Sequence, residues 1–403
     1  MTKPIRLLRI LGLSILVVAA VVGSEHRAAA YPQFQFSSGT ARCAQCHFSP
    51  SGGGLLTSWG RDESGDTISM FGGSGAFLHG ATKLPEWLAL GADLRLAGLV
   101  NDPGGRESKE TAFFPMQFDL YGRANFGDVS LNVTLGDRGV VRPDDGTVTG
   151  RFKDFPDRIV SREHYLMWRP SASGPYVRLG KFQTPYGIRF VEHIFWVRRY
   201  TGFNLYEEPY SLSGGYFAED WEAHVSAFTP PPDSSPNLIK AVGQPESGVA
   251  AFAEKRFFDA LAVGLQARVG IASEEARYQG GIEAKYWLEP AKLLFLGEAD
   301  LIHQQLKAAS ASQDQFVSIL GASAFPTKGL MLSAYYERFQ EDLSVKGTGR
   351  NALDGEINFF PYAHFEVVLI GRYQPKTDSL TTGGMTLGET AASLGMLQLH
   401  YYL

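Results

Sequence analysis

Cysteine is nearly absent: Cys43 and Cys46 are the only two among 403 residues. This excludes a disulfide-knitted scaffold and leaves no second cysteine pair to complete a four-ligand zinc site. Charged residues are also sparse, at 20%, and no segment concentrates Lys and Arg. The basic footprint that holds phosphate backbones is missing, so no nucleic-acid partner is expected. Beyond residue 30 no run of 18 apolar residues occurs, which excludes a membrane-spanning helix there. Any crossing of a membrane must be made by strands. Glycine (45) and proline (21) are plentiful, which disfavours long helices. Aromatics reach 12%, too apolar a balance for disorder. The composition implies a folded, turn-rich β-type chain.

Residues 1–30 differ from the rest. Lys3, Arg6 and Arg9 precede the apolar run Ile10 to Gly23, a short polar stretch, and Ala28, Ala29 and Ala30. This is the layout of a secretory signal peptide with small residues at its cleavage site. Fourteen apolar residues fall short of the ~20 that span a bilayer as a helix. Cleavage after Ala30 is expected. The exported remainder is acidic, with a net charge of −8 against −5 for the whole chain.

The two cysteines stand in Ala41-Arg42-Cys43-Ala44-Gln45-Cys46-His47. Thiols at this spacing on one turn can add to the two vinyl groups of a haem, and the adjacent imidazole is then placed to reach iron. Three other readings compete. A disulfide between Cys43 and Cys46 closes a very small loop and stabilises little. A redox pair of the thioredoxin type needs a βαβ context, whereas the flank here is rich in Gly and Ser. A zinc site lacks further cysteines.

From about Tyr31 to Trp87 the chain resembles c-type cytochromes. The resemblance implies one covalent haem c, with thioethers on Cys43 and Cys46 and His47 as the proximal ligand. Three arrangements stay open for the sixth iron position: Met70, whose thioether raises the reduction potential; His79, which gives bis-histidine iron; or an open position. Residues of the lumen, His164 and His224 first, are further possibilities. Met70 could equally fill a core gap. The segment is short and loop-rich at Ser51-Gly52-Gly53-Gly54, and is expected to lean on the rest of the chain.

From Leu90 onward the periodicity is two. Leu90, Ala92, Leu94, Leu96, Gly98 and Val100 share a face opposite Asp93 and Arg95; Phe114, Met116, Phe118 and Leu120 share a face opposite Gln117, Asp119 and Tyr121. Gly127-Asp128 then makes a turn into Val129, Leu131, Val133 and Leu135, alternating with Ser130, Asn132 and Thr134. Similar segments follow at 221–227, 261–271, 279–288, 293–301, 330–336, 353–359 and 365–373. A soluble sandwich also alternates. The segments here are long enough for tilted transmembrane strands, and their polar faces suit a wet lumen. The final strand, with Leu397, Leu399, Tyr401 and Leu403 alternating with Gln398, His400 and Tyr402, resembles the assembly signal of bacterial outer-membrane barrels, with Leu403 in place of the usual Phe. The expected fold is all-β: an antiparallel transmembrane barrel of 14 to 16 strands over 89–403, preceded by a signal peptide (1–30) and a haem-binding segment (31–88).

The string from Lys181 to Arg189 opens a non-alternating stretch running to about Pro209, dense in Arg189, Glu192, His193, Arg198, Arg199, Glu207 and Glu208. Two readings stand side by side: a loop folded into the lumen, as in porins whose constriction opposes Arg and acidic residues, or a solvated outer loop. Lys181 to Arg189 also resembles a stretch of porin-like barrels that accompany monohaem segments in Gram-negative bacteria. His164, His193, His224, His303 and His364 are scattered and read as lone lumenal residues. A Ca²⁺ site at Asp144-Asp145 lacks the EF-hand spacing.

The expected function is that of an outer-membrane cytochrome–porin fusion, an electron carrier rather than a catalyst, with solute passage possible. One haem cannot carry an electron across the ~30 Å hydrocarbon core, so a periplasmic or surface redox protein is the implied partner. The competing expectations are a passive porin whose haem segment plugs the periplasmic mouth, and a soluble periplasmic haem enzyme such as a peroxidase.

Overall fold

A computed structural model describes residues 31–403 except 38, 41, 103, 105–108, 138–158, 205–206, 232–244, 308–309, 377–379, 383–384 and 388–390. The signal segment and Asp144-Asp145 lie outside the described residues. Strands β1 (Leu88–Asp102), β2 (Glu110–Phe126), β3 (Val129–Asp137), β4 (Ile159–Trp168), β5 (Gly174–Lys181) and β6 (Tyr210–Phe217) follow in chain order. Then come β7 (Trp221–Thr229), β8 (Ser247–Phe257), β9 (Leu261–Ile271), β10 (Glu275–Leu288), β11 (Leu293–Leu306) and β12 (Ala311–Thr327). The remainder are β13 (Leu330–Gln340), β14 (Gly349–Phe359), β15 (Phe365–Gln374), a short β16–β17 hairpin (Leu380–Thr382, Met385–Leu387) and β18 (Ala392–Tyr402).

Sixteen of these close into one antiparallel barrel, in which β18 pairs with β15 on one side and with β1 on the other. Closure leaves no unpaired sheet edge, the condition for strands in hydrocarbon. The alternation explains which face turns where. In β3, Val129, Leu131 and Leu135 point outward while Ser130, Asn132 and Thr134 are buried inside. In β9, Leu265 is 63% exposed beside buried Gln266 and Arg268. An apolar exterior around a polar-lined wall is the transmembrane arrangement, which removes the soluble-enzyme alternative.

Two expectations are corrected. Phe114, Met116, Phe118 and Leu120 do not share a face. The β1–β2 register shifts between Arg95 and Leu96, so that Gln117 opposes Arg95 but Pro115 opposes Leu96. Proline cannot donate to the ladder and suits such a bulge. Phe118 and Leu120 face out, whereas Phe114 and Met116 pack inward near Ala97, Ile370 and Met396, and Phe113 is 75% exposed. Nor is the lumen simply wet. Leu294, Leu296, Ile302, Val317, Ile319 and Phe339 point inside and build a core with Ile188, Phe190, Phe195 and Trp196 of the 182–209 stretch. That stretch therefore folds into the barrel, which decides between the two readings of it.

Residues 31–87 occupy the barrel mouth at the end where short turns join the strands. Arg42 donates to the Ala218 carbonyl, Arg256 to that of Thr40, and Met70 N to Phe360 O. Short turns face the periplasm in barrels of this kind, so the segment stoppers the periplasmic mouth.

Candidate functional site

The segment contains a one-turn helix, Cys43–Cys46, closed by His47 N donating to Cys43 O at 2.9 Å. His47 is then extended and bridges to Leu56. Behind it, Thr57 caps the helix Ser58–Glu63 by accepting from Gly60 N (3.1 Å) and ties back by donating to Gln45 O (2.7 Å). Both cysteines are free thiols, and Cys46 and His47 are 1% and 5% exposed. Burial pushes both thiols up, with Arg189 partly opposing this at Cys43. A dithiol redox pair works through a thiolate of depressed pKa, so these thiols are poorly suited to disulfide exchange. Addition of neutral thiols to vinyl groups has no such requirement.

Gly52 adopts φ +73°, and a Cβ there would stand 3.5 Å from Cys43 Sγ. Glycine both permits the left-handed backbone and keeps that face of Cys43 clear. Two thiols one turn apart followed by an imidazole fit a covalent haem as a donor set. The neighbouring cavity, about 230 Å³, is lined by Gly52, Gly53 and Gly54 but not by Cys46 or His47. Among the described residues no group of three His, Cys, Asp or Glu is arranged to hold a bare metal ion.

The structure brings Cys43, Cys46 and His47 together on one turn and puts the two sixth-ligand candidates elsewhere. Met70 is tied to the turn after β14 through its backbone. His79 sits exposed on the periplasmic rim, its Nε2 3.1 Å from Tyr401 Oη and its ring 4.6 Å from that of His364. His364 belongs to this rim and His303 to the outer face beside Asp314 (2.7 Å), so neither is lumenal. His164 bonds Ser161 and Tyr210. His224 is buried between Glu222 and Tyr176.

Other side chains hold the stopper in place. Fully buried Arg178 donates to Ser49 (3.1 Å), Ser51 (2.9 Å) and Gln183 O (3.1 Å), and its guanidinium lies 3.6 Å from the Phe182 ring centroid. Arg189 joins stopper, loop and wall by donating to Pro50 O (2.9 Å) and Glu222 (2.9 Å). Lys285 bonds Gln35 and Glu254. Sequence reading missed these roles; the only local trace was the inward phase of Arg178 between two outward apolar neighbours. The inner loop is held by wall carboxylates: Glu298 accepts from Ile188 N (2.6 Å), Asp300 from Tyr186 Oη (2.8 Å) and Glu337 from Trp196 N.

No protein-family profile matches the sequence, and no curated protein is similar to it. Solved structures share its fold. An anion-selective porin from Comamonas acidovorans aligns with a TM-score of 0.58 at 11% identity, covering 78% of this chain and 99% of that one. OmpT, an outer membrane protein of Vibrio cholerae, gives 0.55 at 12% over 80% and 99%. Pseudomonas putida OprB gives 0.55 at 10% over 78% and 94%. Identities this low speak to fold alone. Together with the apolar exterior, they identify the chain as a sixteen-strand porin-like β-barrel of the bacterial outer membrane.

Proposed function

We propose that this barrel carries one covalent haem on its N-terminal stopper and exchanges electrons at the periplasmic mouth. The observation that carries the reading is the Cys43–Cys46 turn, with two free thiols, Cys43 half-buried and Cys46 buried, and His47 next in sequence. Cys43 and Cys46 would hold the group through thioethers and His47 would offer its imidazole. Met70, His79 or neither would complete the iron. When bound, a haem supplies one-electron exchange between ferric and ferrous iron. The chain's own part is to anchor the attachment turn, through Thr57, Arg178 and Arg189, and to wall it from bulk water. A periplasmic or surface redox protein is the partner this reading requires.

Staining the denatured, membrane-extracted protein for haem tests this, because a thioether-bound group survives denaturation. Replacing both Cys43 and Cys46 by Ala should abolish the stain; an undiminished stain overturns the reading.

The filling of the mouth by residues 31–87 favours a second reading, a solute channel that its own N-terminal segment obstructs. A protein without any haem stain whose conductance rises on removal of residues 31–80 would support it.

A further inference from the structure

We propose that the lumenal cavity of about 230 Å³ between stopper, inner loop and β1 is a binding site for a small oxyanion, held by Arg95 and Arg198. Both arginines line it. Among the described residues Arg95 makes no hydrogen bond and no ion pair, and its Nε is buried without a partner. Its terminal nitrogens line the cavity without a protein acceptor, so an anion that supplies one gains charge-assisted hydrogen bonds there.

The nearby carboxylates Asp93 and Glu366 favour the Arg95 charge, but neither makes a hydrogen bond or ion-pair contact with it, and each is held by other donors. Glu366 accepts from Tyr31 Oη (2.6 Å) and Asn358 (3.1 Å) and lies 2.8 Å from His400 Nδ1. Asp93 accepts from Tyr121 Oη (2.6 Å) and lies 3.3 Å from His400 Nε2. In the lining itself, Glu208 pairs with Arg162 (3.1 Å), Glu163 accepts from Gln183 N (3.2 Å) and Glu298 from Ile188 N (2.6 Å). Glu192, on the loop near Arg95, is held up to about 7 by burial and is largely uncharged at lower pH. Arg198 spends Nε on Phe203 O and Nη1 on Phe190 O and Val191 O, which fixes the fork and leaves Nη2 for the cavity. His193, also in the lining, is lowered to about 4 first by burial and then by Arg198 and Arg95, while Asp93 and Glu366 place negative charge beside Arg95. A neutral imidazole adds a donor. Two forked guanidinium groups and a neutral imidazole suit an anion presenting several oxygens, a carboxylate or phosphoryl group.

Site and stopper are linked through Tyr31, whose hydroxyl donates to Glu366, one of the carboxylates that favour the Arg95 charge. None of Cys43, Cys46 and His47 takes part, so the inference stands apart from the haem reading.

The test is calorimetric titration of the full chain, folded in detergent at pH 6 and constant ionic strength, with inorganic phosphate and separately with succinate. Saturable binding is expected, weakened about tenfold or more in R95Q and unchanged in K255Q, an exposed rim pair. Arg95 holds no other group, so R95Q should keep the heat-modifiable mobility of a folded barrel; R198Q should also weaken binding but loosens the loop. Binding of both anions identifies a general oxyanion site, and binding of phosphate alone a phosphoryl site. Absence of saturable binding by either, or equal affinity in R95Q and the parent, overturns the proposal.

Discussion

His400 on the last strand lies 3.3 Å from Asp93 on the first, across the seam where the barrel closes. Its other nitrogen lies 2.8 Å from Glu366 on β15, so one imidazole spans the two strands flanking β18. Glu366 also accepts from Tyr31 of the stopper, which joins closure of the barrel to closure of its mouth.

Removing that imidazole should therefore cost stability well beyond one surface contact. Breaking a buried charged network by deleting one partner costs about 3–5 kcal/mol. His400→Ala should lower the temperature at which the folded band converts to the unfolded one on unboiled SDS gels, and Tyr31→Phe should lower it less. An unshifted His400→Ala protein would show that the seam does not depend on this residue.

The outward and inward phases of β9 give opposite mutational costs. Leu265 is 63% exposed and Gln266 4%. Leu265→Arg sets a charge against lipid and should cost about 2–4 kcal/mol near the midplane. Gln266→Arg, facing a polar interior, should cost less. Urea unfolding in lipid vesicles measures both, and a reversed order would invert the faces.

Loop docking should control conductance. Gly187 has φ +53°, and a side chain there would collide with the Glu298 carboxylate that receives Ile188 N. Gly187→Ala and Glu298→Ala should each loosen the 182–209 stretch and raise single-channel conductance in planar bilayers over the parent. A conductance equal to the parent's in both variants would show that this contact does not gate the lumen.

The same loop should respond to pH. Burial raises Glu192 and Glu207 to about 7, and burial with Arg198 and Arg95 lowers His193 to about 4. The docked loop retains protons on the two carboxyls that a released loop gives up above about 4.5. That contribution is full below 4.5 and lost as pH rises through 7. His193 acts oppositely: its contribution is present above about 6.5 and lost as pH falls toward 4. Above 6.5 the released His193 gives up its remaining fraction of a proton, a smaller and opposite change than that of the two carboxyls, so docking weakens from pH 6.5 to 8. Protease cleavage within 182–209 should accelerate over that range, and less so in Glu192→Gln. A flat profile in the parent contradicts this.

Much of the barrel was legible because alternation is local: Val129 to Leu135 and Leu261 to Ile271 declare their strands and faces within a few residues. The bulge was not, since Pro115 advertises an irregularity without saying which neighbours change face. The inward apolar side chains of β11 were ambiguous for a related reason. Leu293-Leu294-Phe295-Leu296 is apolar on both faces, and what covers the inner one, Ile188 and Trp196, comes from a loop about a hundred residues away. That Cys43, Cys46 and His47 share one turn could be anticipated because the three stand within five residues at a fixed spacing. Arg178, 127 residues from Ser51, and unpaired Arg95 owe their meaning to long-range packing, which spacing does not encode.

The seam also bears on how the chain is assembled. β1 gains its second partner only when residues 392–402 arrive, and until then the sheet is an open trough. The stopper is synthesised before every strand and lies inside the finished wall. It can settle into the trough sideways, with no need to thread a mouth, and the pairing of β18 then locks it in. Tyr31 and His400, near opposite ends of the described chain, meet on Glu366 only once both events are complete, so the first and last parts of the polypeptide certify each other's placement.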